Sequence, residues 1–235
     1  MARERYLLHA DEGEKNSPEA EKKPDTPKSK FDNFMYYHKI HLIVILCVAL
    51  VAGFMIHDAV TKVNPDYQIG LITQQAYPDQ MIQALENQIA KYGEDLNGDG
   101  KVVVQISNYV IAADPSAANI DPNMQMAGIT RLMGDLETGE SMIFITDDAS
   151  FKTQQEKNKI FSYLDGRMPK ESATDYQNMR ISLKNCNKLA ASVKDMGDLS
   201  ISLRVYKGSQ LEGKKGLDSY FAASKKLMEK LTSNS

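Results

Sequence analysis

Between Leu42 and Ile56 the chain runs for fifteen residues without a charge or a strong helix breaker, Leu-Ile-Val-Ile-Leu-Cys-Val-Ala-Leu-Val-Ala-Gly-Phe-Met-Ile. Extended to Ile40 and Val60 and rimmed by His41 and His57, the stretch has the length of about 20 residues that a helix needs to cross the hydrocarbon core. A buried core helix would carry a polar face, and this run has none. Tyr36 and Tyr37 stand where an aromatic belt would meet the headgroups. The run begins after about forty polar residues, too late for the short basic leader of a cleaved signal peptide, so an uncleaved signal anchor over residues 36–60 is expected. Cys47 lies inside the run, far from any lipidation context.

The flanks of the span differ. Met1 to Lys30 is dense in Glu, Asp, Lys and Pro and contains few large apolar residues, so it cannot bury enough surface to offset its ordering entropy. Residues 1–35 are therefore expected to form a disordered tail. Lys22, Lys23, Lys28, Lys30 and Lys39 precede the span, and only Lys62 follows it at comparable distance. Lys/Arg excess marks the cytoplasmic side, which predicts a cytoplasmic N-terminus and an extracytoplasmic C-terminal domain over residues 64–235.

Past Asn64 the pattern becomes that of a folded domain. Asp66–Thr73 alternates as a strand, and Tyr77-Pro78-Asp79 opens a helix with Met81, Ile82, Leu85 and Ile89 at helical spacing, ending near Gly93. The β-branched run from Lys101 to Ile111 reads as a central strand, Asn123–Leu136 as a helix and Ser141–Thr146 as a strand. Lys152–Leu164 reads as a helix, Leu199–Tyr206 as a strand and Leu217–Leu231 as a closing amphipathic helix. Residues 165–198 are the least readable stretch. Strands alternating with helices predict an α/β fold with a mainly parallel sheet and helices on its faces.

Several chemistries are excluded by composition. His9, His38, His41 and His57 all precede Asn64, so the domain cannot build a Ser-His-Asp or Cys-His nucleophile or a histidine-ligated zinc site. Of the two cysteines one is in the span, and Cys186 alone makes neither a disulfide framework nor a redox pair; it reads as a small buried residue or a reactive thiol. No P-loop and no G-x-G-x-x-G turn is present. A formal net charge of −3 without a clustered basic face gives no case for nucleic acid. Asp147 and Asp148 follow a strand end, where α/β folds place ligands; as residues that cap a helix or end a strand they need no catalytic role. The domain is expected not to be an enzyme.

One motif carries a mechanism. Asp95-Leu-Asn97-Gly-Asp99-Gly100-Lys101 has the form D-x-[DN]-x-[DN]-G-x, in which alternate oxygen side chains converge on a cation and position seven offers its carbonyl. Positions nine and twelve are Val103 and Ile106, so no EF-hand pair is formed. The same residues can instead bond their own backbone as Asx-turns. These seven residues resemble the calcium loop of periplasmic galactose/glucose-binding proteins, and more loosely those of dockerins. That resemblance implies a structural Ca2+ at Asp95, Asn97, Asp99 and Lys101, and says nothing of sugar binding.

Over its whole length the chain also resembles uncharacterised single-pass membrane-anchored proteins of Gram-positive gut bacteria, through Tyr36-Tyr37-His38-Lys39, Tyr77-Pro78-Asp79 and the Gly93–Gly100 segment. The resemblance implies layout and a cell-membrane location only. Two functions follow as expectations. The first is a tethered binding or interaction module for a small solute, a cell-wall component or a partner protein. The second is a structural or assembly protein acting through its span and tail.

Overall fold

A computed structural model of the chain describes residues 26–61, 64–112, 120–170 and 172–233. The expected disorder of residues 1–25 lies outside them. The chain divides into two compact units, Met1–Lys62 and Val63–Ser235.

In the first unit the described residues form one helix, α1, over Pro27–Thr61. It starts well before the apolar run, so residues 27–35 are helical and not part of a tail. Local chemistry explains the early start. Thr26 Oγ1 accepts from Ser29 N at 3.3 Å, and Pro27 takes the first helical position, where its missing N–H costs nothing. Within α1, Phe34–Asp58 is long and apolar enough to cross a membrane.

The second unit is α/β. Its elements are β1 (Tyr67–Thr73), α2 (Asp79–Ala90), β2 (Val104–Val110), α3 (Pro122–Thr138), β3 (Ser141–Asp147), α4 (Asp148–Asn158), β4 (Arg180–Ser182), β5 (Leu199–Leu203) and α5 (Leu217–Thr232). The five strands form one sheet in the order β2-β1-β3-β5-β4, so β2, expected to be central, lies at an edge and pairs with β1 alone. β1 runs parallel to β2 and β3, as the strand–helix alternation predicts. β5 is antiparallel to β3 and to β4, so the sheet is mixed and the expectation of a mainly parallel one is corrected. The reason lies in residues 183–198. Ser182 and Ser200 are cross-strand partners, so this connection leaves and re-enters the sheet at the same edge. A connection of that kind reverses the strand; only a crossover to the opposite edge preserves direction.

Odd residues of β1 (Tyr67, Ile69, Leu71) face α2, α5 and the 183–196 segment, whose Leu183, Cys186, Leu189, Val193 and Met196 are buried against Leu199, Ile201 and Leu203. Even residues face α3 and α4, where Ile72, Tyr109, Leu132, Phe144, Phe151 and Phe161 form a second core. Gly70 is required on that face, because a Cβ there would lie 2.4 Å from the Phe144 ring. α4 begins at Asp148, four residues before its apolar pattern suggests, because Asp147 caps it by accepting from Ser150 N at 2.7 Å. It ends at Asn158, and Phe161 instead bridges to Arg204. Under the end of α3, Asp135 accepts from Tyr109 Oη at 2.7 Å and from Ser141 N at 2.8 Å, with the Arg204 guanidinium 3.5 Å away. Burial pulls that guanidinium below its ordinary range, and the Asp135 charge opposes the shift.

Candidate functional site

The sheet has two edges with different chemistry. At the N-terminal edge of the parallel strands lies the loop between α2 and β2, which brings Asp95, Asn97, Asp99 and Lys101 together. Their oxygens are engaged by the loop itself. Asp95 Oδ1 accepts from Gly98 N at 2.6 Å and Oδ2 from Gly100 N at 2.8 Å. Asn97 Oδ1 accepts from Asp99 N at 2.8 Å, and Asp99 Oδ1 from Lys101 N at 2.9 Å. Gly98 and Gly100 hold φ of 76° and 84°, which other residues adopt only with strain. The N–H groups of Gly100 and then Gly98 hold the Asp95 carboxyl below the usual carboxylate range.

Sequence reasoning missed the residue that organises this loop. Asp66, 4% exposed, accepts from Leu96 N and Asn97 N through Oδ1, at 2.7 and 3.1 Å, and from Val103 N through Oδ2 at 2.8 Å. Its only sequence signal is a carboxylate placed directly before a strand. Glu94, beside the loop, meets Lys226 at 2.7 Å and Lys230 at 2.9 Å; the two ammonium groups hold it at about 2. Among the described residues no three His, Cys, Asp or Glu side chains converge as a metal site.

The C-terminal edge is concave. After β1 the chain turns towards β2, and β3 lies on the other side of β1, so the strand order reverses between β1 and β3. Open α/β sheets bind ligands in the crevice above such a point. Here Gln74 N donates to Asp147 Oδ2 at 2.7 Å and ties the two strand ends together. A hollow of about 370 Å³ opens beside this bond, lined by Gln74, Gln75, Tyr77, Asp147, Gly197 and Asp198. Tyr77 is fixed by donating to the Met196 carbonyl at 2.7 Å. Asp198 also lines a neighbouring hollow of about 510 Å³ with Asp148, Tyr176, Arg180, Ser182 and Ser200.

No protein-family model, curated protein or solved structure matches this chain. Its chemistry has to be read from the crevice itself.

Asp147 is committed to structure: one oxygen caps α4 and the other receives Gln74 N–H. Asp148 lies 2.8 Å from Lys152 and 2.7 Å from Arg180, which hold its carboxyl below the usual range. The Arg180 guanidinium also sits over the Phe151 ring, 4.6 Å from its centroid. Asp198 pairs with Lys184. Cys186 is fully buried on the opposite face of the sheet, its thiol pushed up by burial and donating to the Ser182 carbonyl at 3.5 Å. Arg180, Ser182 and Asp198 all come from the least readable stretch; no sequence signal marks them.

Proposed function

We propose that this chain is a membrane-anchored binding module, held by residues 36–60, whose domain over residues 64–235 lies outside the cytoplasm and takes its ligand in the crevice above β1 and β3. The observation that carries the reading is the reversal of strand order at that point, with two adjoining hollows sharing Asp198. The lysine excess before the span supports the orientation. The ligand is a small solute, a cell-wall component or an exposed segment of a partner protein. Binding is favoured over catalysis because the carboxylates there are engaged: Asp147 by two N–H groups, Asp148 by two cations and Asp198 by Lys184.

The Asp95–Lys101 loop belongs to the same reading as a structural element. Oxygens from Asp95, Asn97 and Asp99 with the Lys101 carbonyl suit Ca2+. Val103 and Ile106 add none, so water completes the shell. The loop sits at the edge of the sheet away from the crevice, which assigns such an ion to stability.

The test is a thermal-shift screen of the full chain in detergent micelles against small solutes, wall fragments and peptides. Every hit is repeated with Gln75→Ala and Asp198→Ala. A ligand whose shift is lost in either variant supports the crevice. Hits that survive both place binding elsewhere and overturn it.

A further inference from the structure

The sheet register builds a row of hydroxyls under the larger hollow. Thr146 of β3 is the cross-strand partner of Ser200 of β5, and Ser200 is the partner of Ser182 of β4. Directly paired residues point to the same face, so the three hydroxyls form one row at the crevice edge. One row deeper Ser202 lies between Phe144 and Arg180. Ser150, in the first turn of α4, is buried nearby. Thr146 Oγ1, Ser150 Oγ and Ser202 Oγ are buried behind the lining, whereas Ser182 and Ser200 line the hollow itself, Ser200 donating to the Thr146 carbonyl at 3.4 Å. The hydroxyls within reach of a ligand are those of Ser182 and Ser200.

The charges select the ligand's type. Asp147, Asp148 and Asp198 are balanced by Arg180, Lys152 and Lys184. An anion in the larger hollow would approach the carboxylates of Asp148 and Asp198, and a cation would approach a guanidinium pinned in place by Phe151 and Asp148. A neutral ligand rich in hydroxyls meets neither penalty. Each of its hydroxyls both donates and accepts, matching the hydroxyls of Ser182 and Ser200, while Arg180 offers further N–H donors and Asp198 an acceptor. Tyr176 supplies a flat apolar wall, set at 72° to Phe151 with centroids 5.8 Å apart. The volume of about 510 Å³ falls within the range of small-molecule sites.

We infer that the crevice recognises a neutral polyhydroxylated ring, a sugar or cyclitol, through Ser182, Ser200, Arg180 and Tyr176. The inference rests on the crevice reading above and narrows it.

The test is calorimetry on the full chain in polyoxyethylene-ether micelles, which carry no sugar headgroup. The probes are glucose, N-acetylglucosamine and myo-inositol as neutral rings, glycerol as an acyclic polyol, and inorganic phosphate, glycine and putrescine as charged compounds. Ser182→Ala and Ser200→Ala each remove one hydroxyl and keep the backbone, and Tyr176→Ala removes the wall. Melting temperatures show whether each variant is folded. At least one ring should bind, with affinity about tenfold weaker in each serine variant, equivalent to one lost hydrogen bond of about 1.4 kcal/mol. Glycerol binding as tightly as the rings overturns the role of Tyr176. A charged probe that binds in place of the rings and is weakened by the serine variants overturns the ligand class and leaves the crevice standing. Binding that ignores all three variants, or no binding by any ring, overturns the inference. In that case a ligand found by the wider screen and lost in Asp198→Ala would still support the crevice.

Discussion

Replacing Gly70 with alanine would put a methyl carbon 2.4 Å from both Cδ1 and Cε1 of Phe144, and 3.2 Å from Tyr109 Cε2. Carbon atoms in ordinary contact sit about 3.5–4.0 Å apart, so the Phe144 ring would have to withdraw by roughly 1 Å. It has little room to do so. Phe144 is fully buried and meets Phe161 edge-on with centroids 6.0 Å apart, and Phe161 stacks on Phe151 at 4.7 Å. Overpacking of this kind costs about 1–3 kcal/mol. Alanine offsets roughly 0.4–1 kcal/mol of that by restricting the unfolded chain. The expected net loss is about 1–2 kcal/mol, a fall in Tm of about 2–8 °C for a domain of this size. The assay is thermal unfolding of the full chain in micelles followed by circular dichroism, beside the double variant Gly70→Ala/Phe144→Leu. The smaller leucine should recover part of the loss, so that the two changes are not additive. An unchanged or raised Tm in Gly70→Ala, or strict additivity in the double variant, would refute the reasoning.

Glu94 is held at about 2 by Lys226 and Lys230, below its unfolded value. A depressed carboxylate contributes stability that is present above the unfolded pKa of about 4.3 and lost as pH falls towards the folded one. The Tm difference between parent and Glu94→Gln should therefore shrink between about pH 4 and pH 2; a difference constant over that window would contradict the pairing. Asp66→Ala should leave three N–H groups without their acceptor and destabilise by about 2–4 kcal/mol, with faster hydrogen exchange at Leu96, Asn97 and Val103; unchanged exchange there would show that Asp66 does not organise the loop. Millimolar calcium should raise the Tm, by about 2.7 kcal/mol of stabilisation at one hundred times Kd, and Asp95→Ala and Asp99→Ala should abolish the rise; no shift in the parent would leave the loop to its Asx-turns. Protease added to intact cells freed of wall should digest residues 64–235; trimming of only the first 35 residues would reverse the orientation.

Helical and strand periods made most of the domain legible before the structure was known. Ile82, Leu85 and Ile89 are the buried face of α2, as their spacing predicts, and the strands beginning at Tyr67, Ser141 and Leu199 fall where alternation puts them. Two kinds of information were hidden. Direction is one: nothing in the residues of β5 says that it runs against β3, because the reversal is set by where Ser182 and Leu199 meet the sheet. The other is the crevice. Asp147 and Asp148 could be placed at a strand end from sequence, but Arg180, Ser182 and Asp198 flank a stretch of single turns whose buried residues, Leu183, Cys186, Leu189, Val193 and Met196, recur every three or four residues and so mark its core face but not the polar residues at its ends.

Residue 64 leads directly into β1, and β1 is flanked by strands on both sides. Its seven residues pair along their whole length with β2 and along most of it with β3, all three running the same way over roughly 20 Å. A pull on the domain through the segment preceding residue 64 would therefore load β1 along its axis. Both ladders would be sheared, with their hydrogen bonds sharing the force and failing together, whereas a strand peeled from an edge loses its bonds one at a time. The crevice, at the far end of the same strand, would keep its shape until that joint failure.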